Sequence, residues 1–203
     1  MNNGFEIKTM RMIKLSIIIP TLYQKADDWE TYYNKIIKQL KKIKIKKEII
    51  TIEWKLVNEA WNEWVKKAKW EHILIINDDI DIDQETIDKM ISANNLYKVV
   101  CPYFTRLDDK HNIYSNNGKN IMGFCFMIRK EVINDFFPIP DSLKLRFWDN
   151  WIYQKANRRF WTIWLIHHYE SRTLFDPIRK QEVDKIIEQD KIEWALICKQ
   201  YKR

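Results

Sequence analysis

Residues 73–84 read ILIINDDIDIDQ, an apolar run that leads directly into a cluster of acids. The motif Asn77-Asp78-Asp79 follows the apolar residues, and Asp81 and Asp83 come at alternate positions. Carboxylates this close repel one another unless a cation or a solvated turn offsets their charge. The stretch therefore predicts a divalent-cation site or a solvated turn, and for Asp83 we favour a cap on the following helix.

An EF-hand also places aspartates at alternate positions, but its loop needs Gly at the sixth position and Glu at the twelfth. Counted from Asp79, those positions hold Gln84 and Met90. This excludes an EF-hand at this cluster.

Composition predicts one globular domain, because the chain has 203 residues, of which 46% are hydrophobic and 31% charged. Its three cysteines, Cys101, Cys125 and Cys198, show no CxxC spacing and predict free thiols in a reducing compartment.

Every apolar run is far shorter than the roughly 20 residues of a membrane span. We therefore expect a cytoplasmic protein, and its net charge of +7 leaves peripheral contact with an anionic membrane open.

The segment KIIKQLKKIKIKK, residues 35–47, carries much of the positive charge. Its Ile and Leu residues recur on one side, and no aromatic residues are interleaved to stack on bases. We therefore favour a solvated helix face over a nucleic-acid site.

Strands and helices alternate over the first 80 residues. Strands are predicted at 14–20, 47–55 and 72–77, with helices at 26–41 and 58–70 between them, the second of which Asn58 is predicted to cap. This order predicts a parallel, doubly wound sheet, in which ligands bind beyond the carboxyl ends of the strands. The acid cluster lies at such an end. The later elements are a helix at 84–95, strands near 97–104, 121–129 and 160–168, a polar loop at 105–120, a helix in the second half of 143–159, and an amphipathic helix at 179–203 whose apolar stripe Asp190 interrupts.

Several segments together resemble a known family. LSIIIPTLYQ, EIITIEW and ILIINDDIDI are similar to the amino-terminal half of a GT-A glycosyltransferase of the family 2 type. GFCFMIRKEVI (123–133), FWDNW and HHYESRT match later family segments in order. The resemblance implies a GT-A fold, an α/β nucleotide-diphospho-sugar transferase fold with a mixed, mostly parallel sheet flanked by helices. It divides one domain, 1–203, into a nucleotide-binding half (about 12–96), an acceptor and catalytic half (about 97–178) and the C-terminal helix (about 179–203).

The resemblance also implies site residues. Glu53 would accept a hydrogen bond from the nucleobase, and the donor-binding set is Pro20, Thr21, Leu22, Glu53, Asn77, Asp78 and Gly123. Asp79 and His168 would bind the metal, with His167 as the alternative histidine. Two registers of the acid motif remain open, Asn77-Asp78-Asp79 and the literal Asp79-Ile80-Asp81, and Asp79 belongs to both. A ligand set of aspartate, histidine and diphosphate suits Mn²⁺ or Mg²⁺ better than Zn²⁺.

Asp149 is the candidate catalytic base. The family's neighbouring acids are replaced by Trp148 and Trp151, so Asp149 is the remaining carboxylate of that segment. On the residues alone, a helix cap near Trp151 is an equal alternative. Trp148 or Trp151 could stack on an acceptor sugar.

The implied function is a metal-dependent, inverting transfer of a sugar from a UDP- or GDP-linked donor to a hydroxyl of a glycan, protein or lipid. The alternatives are a metal-dependent nucleotidyltransferase or nuclease acting on nucleic acid, and a non-catalytic sugar-nucleotide-binding module. The donor sugar, the nucleobase, the acceptor and the oligomeric state are not fixed by the sequence.

Overall fold

A computed structural model of the chain describes residues 14–21, 29–53, 56–105, 123–156, 160–168 and 180–200. Within these ranges, strands and helices alternate along the chain. The strands are β1 (Lys14–Thr21), β2 (Lys46–Glu53), β3 (His72–Ile76), β4 (Ile80–Asp81), β5 (Val99–Thr105), β6 (Cys125–Arg129) and β7 (Phe160–His168). The helices are α1 (Trp29–Lys42), α2 (Val57–Lys67), α3 (Gln84–Asn94), α4 (Trp148–Lys155) and α5 (Lys180–Gln200), and Lys130–Asp135 forms a 3-10 helix.

The strands form one mixed sheet in the order β2-β1-β3-β6-β5-β7-β4. Five of them, β1, β2, β3, β5 and β7, run in the same direction, and β6 and β4 run against it. The predicted mixed, mostly parallel sheet is thereby confirmed. Most of the polar loop predicted at 105–120 lies outside the described residues.

Two apolar layers, one on each face of the sheet, form the core. Ile18, Ile73 and Ile75 face a layer that includes Trp61 of α2 and Ile152 of α4. The alternate residues of these strands, such as Ile17, Ile19 and Leu74, face a second layer. That layer is supplied largely by α1, with Ile36 and Leu40, and by α3, with Ile87 and Met90. Because side chains alternate along a strand, a continuous apolar run is buried on both faces.

Two local predictions were wrong. Asn58, predicted to cap α2, is buried and directs its amide towards the carbonyls of Pro140 and Asp141, at 3.5 and 3.3 Å. The N-cap of α2 is Leu56, which makes no side-chain cap bond. Gly123, predicted inside a strand, lies in a turn immediately before β6.

The two-residue strand β4 shows that the sheet curves. Ile80 of β4 pairs with His168 of β7. In the sheet order, β4 lies four strand spacings from β3. A flat sheet would separate these strands by about 19 Å, whereas the four residues from Ile76 to Ile80 reach about 14 Å at most. Strand β5 has a register shift between Pro102 and Phe104, and irregularities of this kind allow strands to bend. The curvature brings the carboxyl ends of β3 and β7 together.

The C-terminal helix α5 packs through Trp194 and Ile197 against the layer that contains α2 and α4. On its other side, Ile192 and Leu196 are exposed. No helix within the described ranges is both long enough and apolar enough to cross a bilayer.

Candidate active site

The first feature of the site is the point between β1 and β3 where the winding of the sheet reverses, which we call the crevice. The helices that follow β1 and β2, α1 and α2, cover opposite faces of the sheet, so the winding reverses at this point. In open α/β sheets, ligands bind beyond the carboxyl ends of the strands at such a reversal. Pairing of β1 with β3 ends at Ile18 and Ile75, whereas pairing with β2 continues to Thr21 and Glu53. Pro20 therefore sits where β1 has left β3, and its missing N–H costs no ladder bond to β3 there.

The acid motif follows directly after β3, at the carboxyl end of that strand. The Asn77 N–H donates to the carbonyl of Phe124 at 2.8 Å, and Asp78 and Asp79 then form a turn before β4. Both carboxylates are partly buried, and Oδ1 of Asp79 is fully buried. This hydrogen bond joins the predicted nucleotide-binding half to the segment that contains Gly123.

Asp81 is engaged by helix α1. Its carboxylate lies 3.1 Å from the ammonium of Lys35 and accepts a 2.5 Å hydrogen bond from the amide of Gln39. The other amide atom of Gln39 accepts the N–H of Ile82 at 3.1 Å. These contacts tie Asp81 to α1, and the choice between the registers Asn77-Asp78-Asp79 and Asp79-Ile80-Asp81 stays a prediction.

Asp83 caps α3, as predicted. Its carboxylate accepts the N–H of Thr86 at 2.8 Å, which satisfies one of the unpaired amides in the first turn.

Asp149 is the second residue of α4. The residue before the helix, Phe147, has φ of 63°, in the left-handed region that bulky residues rarely adopt. Asp149 therefore does not occupy the N-cap, and its carboxylate accepts the N–H of Asn150 at 2.8 Å. The predicted alternative, a cap on a helix beginning near Trp151, is wrong.

The environment of Asp149 gives its carboxyl an unusual acidity. Burial raises the pKa of Asp149 from 3.8 to about 6, because the ionised form loses hydration. The backbone N–H groups of Asn150 and Gly123 and the charge of Arg146 oppose this shift without cancelling it. The carboxylate is thus ionised at neutral pH, yet it is a stronger base than an ordinary aspartate.

Gly123 is required by the packing of Trp148. A Cβ at position 123 would lie 2.2 and 2.3 Å from two carbons of the indole ring, far inside any real contact. Trp148 is buried, with its ring packed on Trp61 and Phe126. It belongs to the core, so the prediction that it stacks on an acceptor sugar is wrong. Trp151 is half-buried and donates its indole N–H to the carbonyl of Phe136 at 2.9 Å.

Other predicted site residues are placed by the backbone alone. Thr21 and Glu53 are register partners at the ends of β1 and β2, and His168 and His167 pair with Ile80 and Asp81. This pairing brings the end of β7 next to the acid motif. The side chains of these four residues, and Leu22 as a whole, lie outside the described part of the structure. The choice between His168 and His167 as metal ligand therefore stays a prediction.

Within the described ranges, no three His, Cys, Asp or Glu side chains converge closely enough to form a metal cage. Asp78 and Asp79 nevertheless supply hard oxygen ligands beside a crevice, and Mg²⁺ or Mn²⁺ needs only one or two carboxylates when phosphate oxygens complete its shell. The residues present fit such an ion.

Sequence reasoning missed the role of Asp190. This residue of α5 is fully buried, and its carboxylate accepts the backbone N–H groups of Lys144, Leu145 and Arg146 at 2.9, 2.7 and 2.7 Å. The one signal available in the sequence was an acid interrupting an apolar helix stripe.

Comparison with solved structures identifies the fold. Chains of S. aureus TarS are similar: TarS 1–349 has a TM-score of 0.60 and 13% sequence identity over 88% of this chain and 70% of its own. TarS 1–349 in complex with UDP-GlcNAc has a TM-score of 0.52 and 14% identity, over 81% of this chain and 61% of its own. The longer TarS chain is covered to 43% of its length. The chain therefore has the GT-A fold, as the resemblance implied.

A second type of enzyme shares the fold. CMP:2-keto-3-deoxy-manno-octonic acid synthetase complexed with CTP has a TM-score of 0.52 and 9% identity, over 85% of this chain and 99% of its own. No protein-family model matches the chain, and no curated protein matches it by sequence.

Proposed function

We propose that this protein is a glycosyltransferase that moves a sugar from a nucleotide-diphosphate donor to a hydroxyl acceptor, with Asp149 as the general base. One observation carries the proposal. The partly buried carboxylate of Asp149, with a pKa raised to about 6, lies in the first turn of α4 next to Trp148, whose ring packs on Gly123. The adjacent Phe124 carbonyl accepts the N–H of Asn77 from the acid motif. Two polar segments far apart in sequence thus meet where such sheets bind ligands.

In this proposal, the crevice between β1 and β3 holds the nucleoside, with Pro20, Thr21 and Glu53 at its edge. Asp78 and Asp79 face the diphosphate. Asp79, together with His168, would hold Mn²⁺ or Mg²⁺, and the ion would offset the charge of the departing nucleoside diphosphate.

Asp149 would accept the proton of the acceptor hydroxyl as that oxygen attacks the anomeric carbon and the bond to the diphosphate breaks. A single displacement of this kind inverts the anomeric configuration and needs no nucleophile on the protein. The raised pKa of Asp149 suits this step, because a general base works best when its pKa is near the working pH.

The experiment is a screen of UDP- and GDP-linked sugars with Mn²⁺ for release of nucleoside diphosphate, with and without simple glycan acceptors. The proposal expects release from at least one donor, lowered about 10²- to 10⁴-fold by Asp149→Asn. Asp141→Asn is the matched control, because Asp141 is an exposed aspartate of the preceding loop. Full turnover in Asp149→Asn would contradict the assignment of the base.

Nucleotidyl transfer is the second candidate, favoured by the likeness to the CMP-sugar synthetase over nearly that protein's whole length. The two reactions release different products: nucleotidyl transfer from a nucleoside triphosphate releases pyrophosphate, and glycosyl transfer releases a nucleoside diphosphate. Pyrophosphate release from CTP in the presence of sugar acids, with no cleavage of any sugar nucleotide, would select this candidate.

A further inference from the structure

The buried carboxylate of Asp190 organises a loop. Its two oxygens accept three consecutive backbone N–H groups, with Oδ1 bonded to Lys144 and Oδ2 bonded to Leu145 and Arg146. A buried charge is unfavourable unless hydrogen bonds replace its hydration, and bonds to an ionised acceptor are the stronger kind. Consecutive amides directed at one anion also fix the path of the backbone that carries them.

The next residue, Phe147, is held by the same helix. Its left-handed backbone persists in a bulky residue only where the surroundings impose it. Its ring stacks on Trp194, with centroids 6.0 Å apart and planes inclined by 5°. Trp194 lies one helical turn after Asp190, so both contacts come from one side of α5.

This loop leads directly to the candidate base. Phe147 is the last residue before α4, and Asp149 is the second residue within it. The direction in which α4 leaves the loop therefore sets where the Asp149 carboxylate lies relative to Gly123, on which the ring of the neighbouring Trp148 packs.

We propose that Asp190 is a positioning residue, which holds loop 144–147 from α5 so that Asp149 is kept against Gly123. The inference rests on the proposed function of Asp149 as a base. It makes the C-terminal helix part of the catalytic apparatus. An apolar residue at position 190 would continue the helix stripe and would suffice for docking, so the carboxylate contributes loop geometry.

The test is Asp190→Asn in the full chain. An amide has one acceptor oxygen, and its NH₂ group would face amides that are themselves donors. We expect kcat to fall about 10- to 100-fold, since small misplacements of a reacting group have effects of this size, and the KM for the donor to stay within about twofold. Asp190→Glu, which keeps the charge, should recover part of the rate. Asp184→Asn, an exposed aspartate on the same helix, is the matched control.

A second readout does not depend on turnover. The Asp149 carboxyl can be titrated by NMR, and in Asp190→Asn its pKa should fall from about 6 towards the ordinary range as the carboxylate gains water. Arg146, the charged residue that acts on Asp149, remains in every variant. A folded Asp190→Asn protein with unchanged kcat and an unchanged Asp149 titration would overturn the proposal.

If Asp190→Asn does not fold, Trp194→Leu decides by the same two readouts, because it removes the ring on Phe147 and leaves the carboxylate. A wild-type protein that cleaves no sugar nucleotide, or an Asp149→Asn variant that keeps its rate, would refute the proposed function alone. In either case, the titration of Asp149 in the Asp190 variants still decides whether Asp190 positions it.

Discussion

Replacing the candidate base should make the protein more stable, and this effect can be measured without knowing the substrate. Asp149 has a pKa of about 6 in the folded protein and an ordinary value of 3.8, chiefly because burial removes water from the charged form. At 1.36 kcal/mol for each factor of ten, the ionised carboxylate weakens the folded state by about 3 kcal/mol at most. Asp149→Asn removes the charge and keeps the shape. It should therefore raise the free energy of unfolding at pH 7.5 by about 1–2 kcal/mol, because the amide also weakens the bonds from Asn150 and Gly123.

The sign of the pH dependence follows from linkage. Below about pH 4, Asp149 is protonated in both states, and wild type and Asp149→Asn should differ little. Between about pH 4 and pH 6, the folded protein keeps a proton that the unfolded chain has lost, so the stability of the wild type falls as pH rises. Above about pH 6, the full difference is present.

The assay is thermal unfolding of wild type, Asp149→Asn and the exposed control Asp141→Asn across this range. For a domain of this size, 1 kcal/mol corresponds to about 2–4 °C in Tm, so the variant should unfold about 2–8 °C higher at pH 7.5. An equal or lower Tm at pH 7.5, or an offset that does not shrink as pH falls from 6 to 4, would refute the reasoning from burial.

Three further predictions concern neighbouring residues. Gly123→Ala places a methyl group about 2.2 Å from the ring of Trp148 and should lower the free energy of unfolding by about 1–3 kcal/mol in urea. In a Trp148→Leu background, which is itself less stable, the same change should cost much less. Asp79→Asn should weaken Mn²⁺-dependent donor binding in titration calorimetry at least about tenfold, whereas Asp81→Asn, whose carboxylate is engaged by α1, should stay within about twofold. Asp83→Ala should cost about 1 kcal/mol of stability in urea through loss of the α3 cap.

Local pattern predicted most of the fold. The continuous apolar runs became strands buried on both faces, and the acids at the end of the third run lie at the carboxyl edge where the doubly wound order places them. Strand β4 was not predictable in this way, because two residues carry no period and their pairing partner on β7 lies more than 80 residues later.

The site was only partly predictable because it also depends on contacts between residues that are far apart in the sequence. Asp149 was identified by its neighbours in sequence, but its raised pKa comes from burial, which no local pattern reports. The need for glycine at position 123 depends on the ring of Trp148, 25 residues away, and the role of Asp190 depends on amides 44 to 46 residues away.

These distant contacts explain how the depth and the direction of the Asp149 carboxylate are set. Gly123 lets Trp148 pack into the core, and that packing sets the depth of Asp149. Asp190 and Trp194 fix the left-handed entry to α4, which sets its direction. Because the carbonyl of Phe124 also accepts the N–H of Asn77, the turn at Gly123 and Phe124 joins the segment of the candidate base to the acid motif. Small shifts of the β6 turn should therefore change donor binding and base strength together, so a Gly123→Ala protein that folds should show both a weaker donor affinity and a lower pKa of Asp149, and a change in only one of them would argue against this coupling.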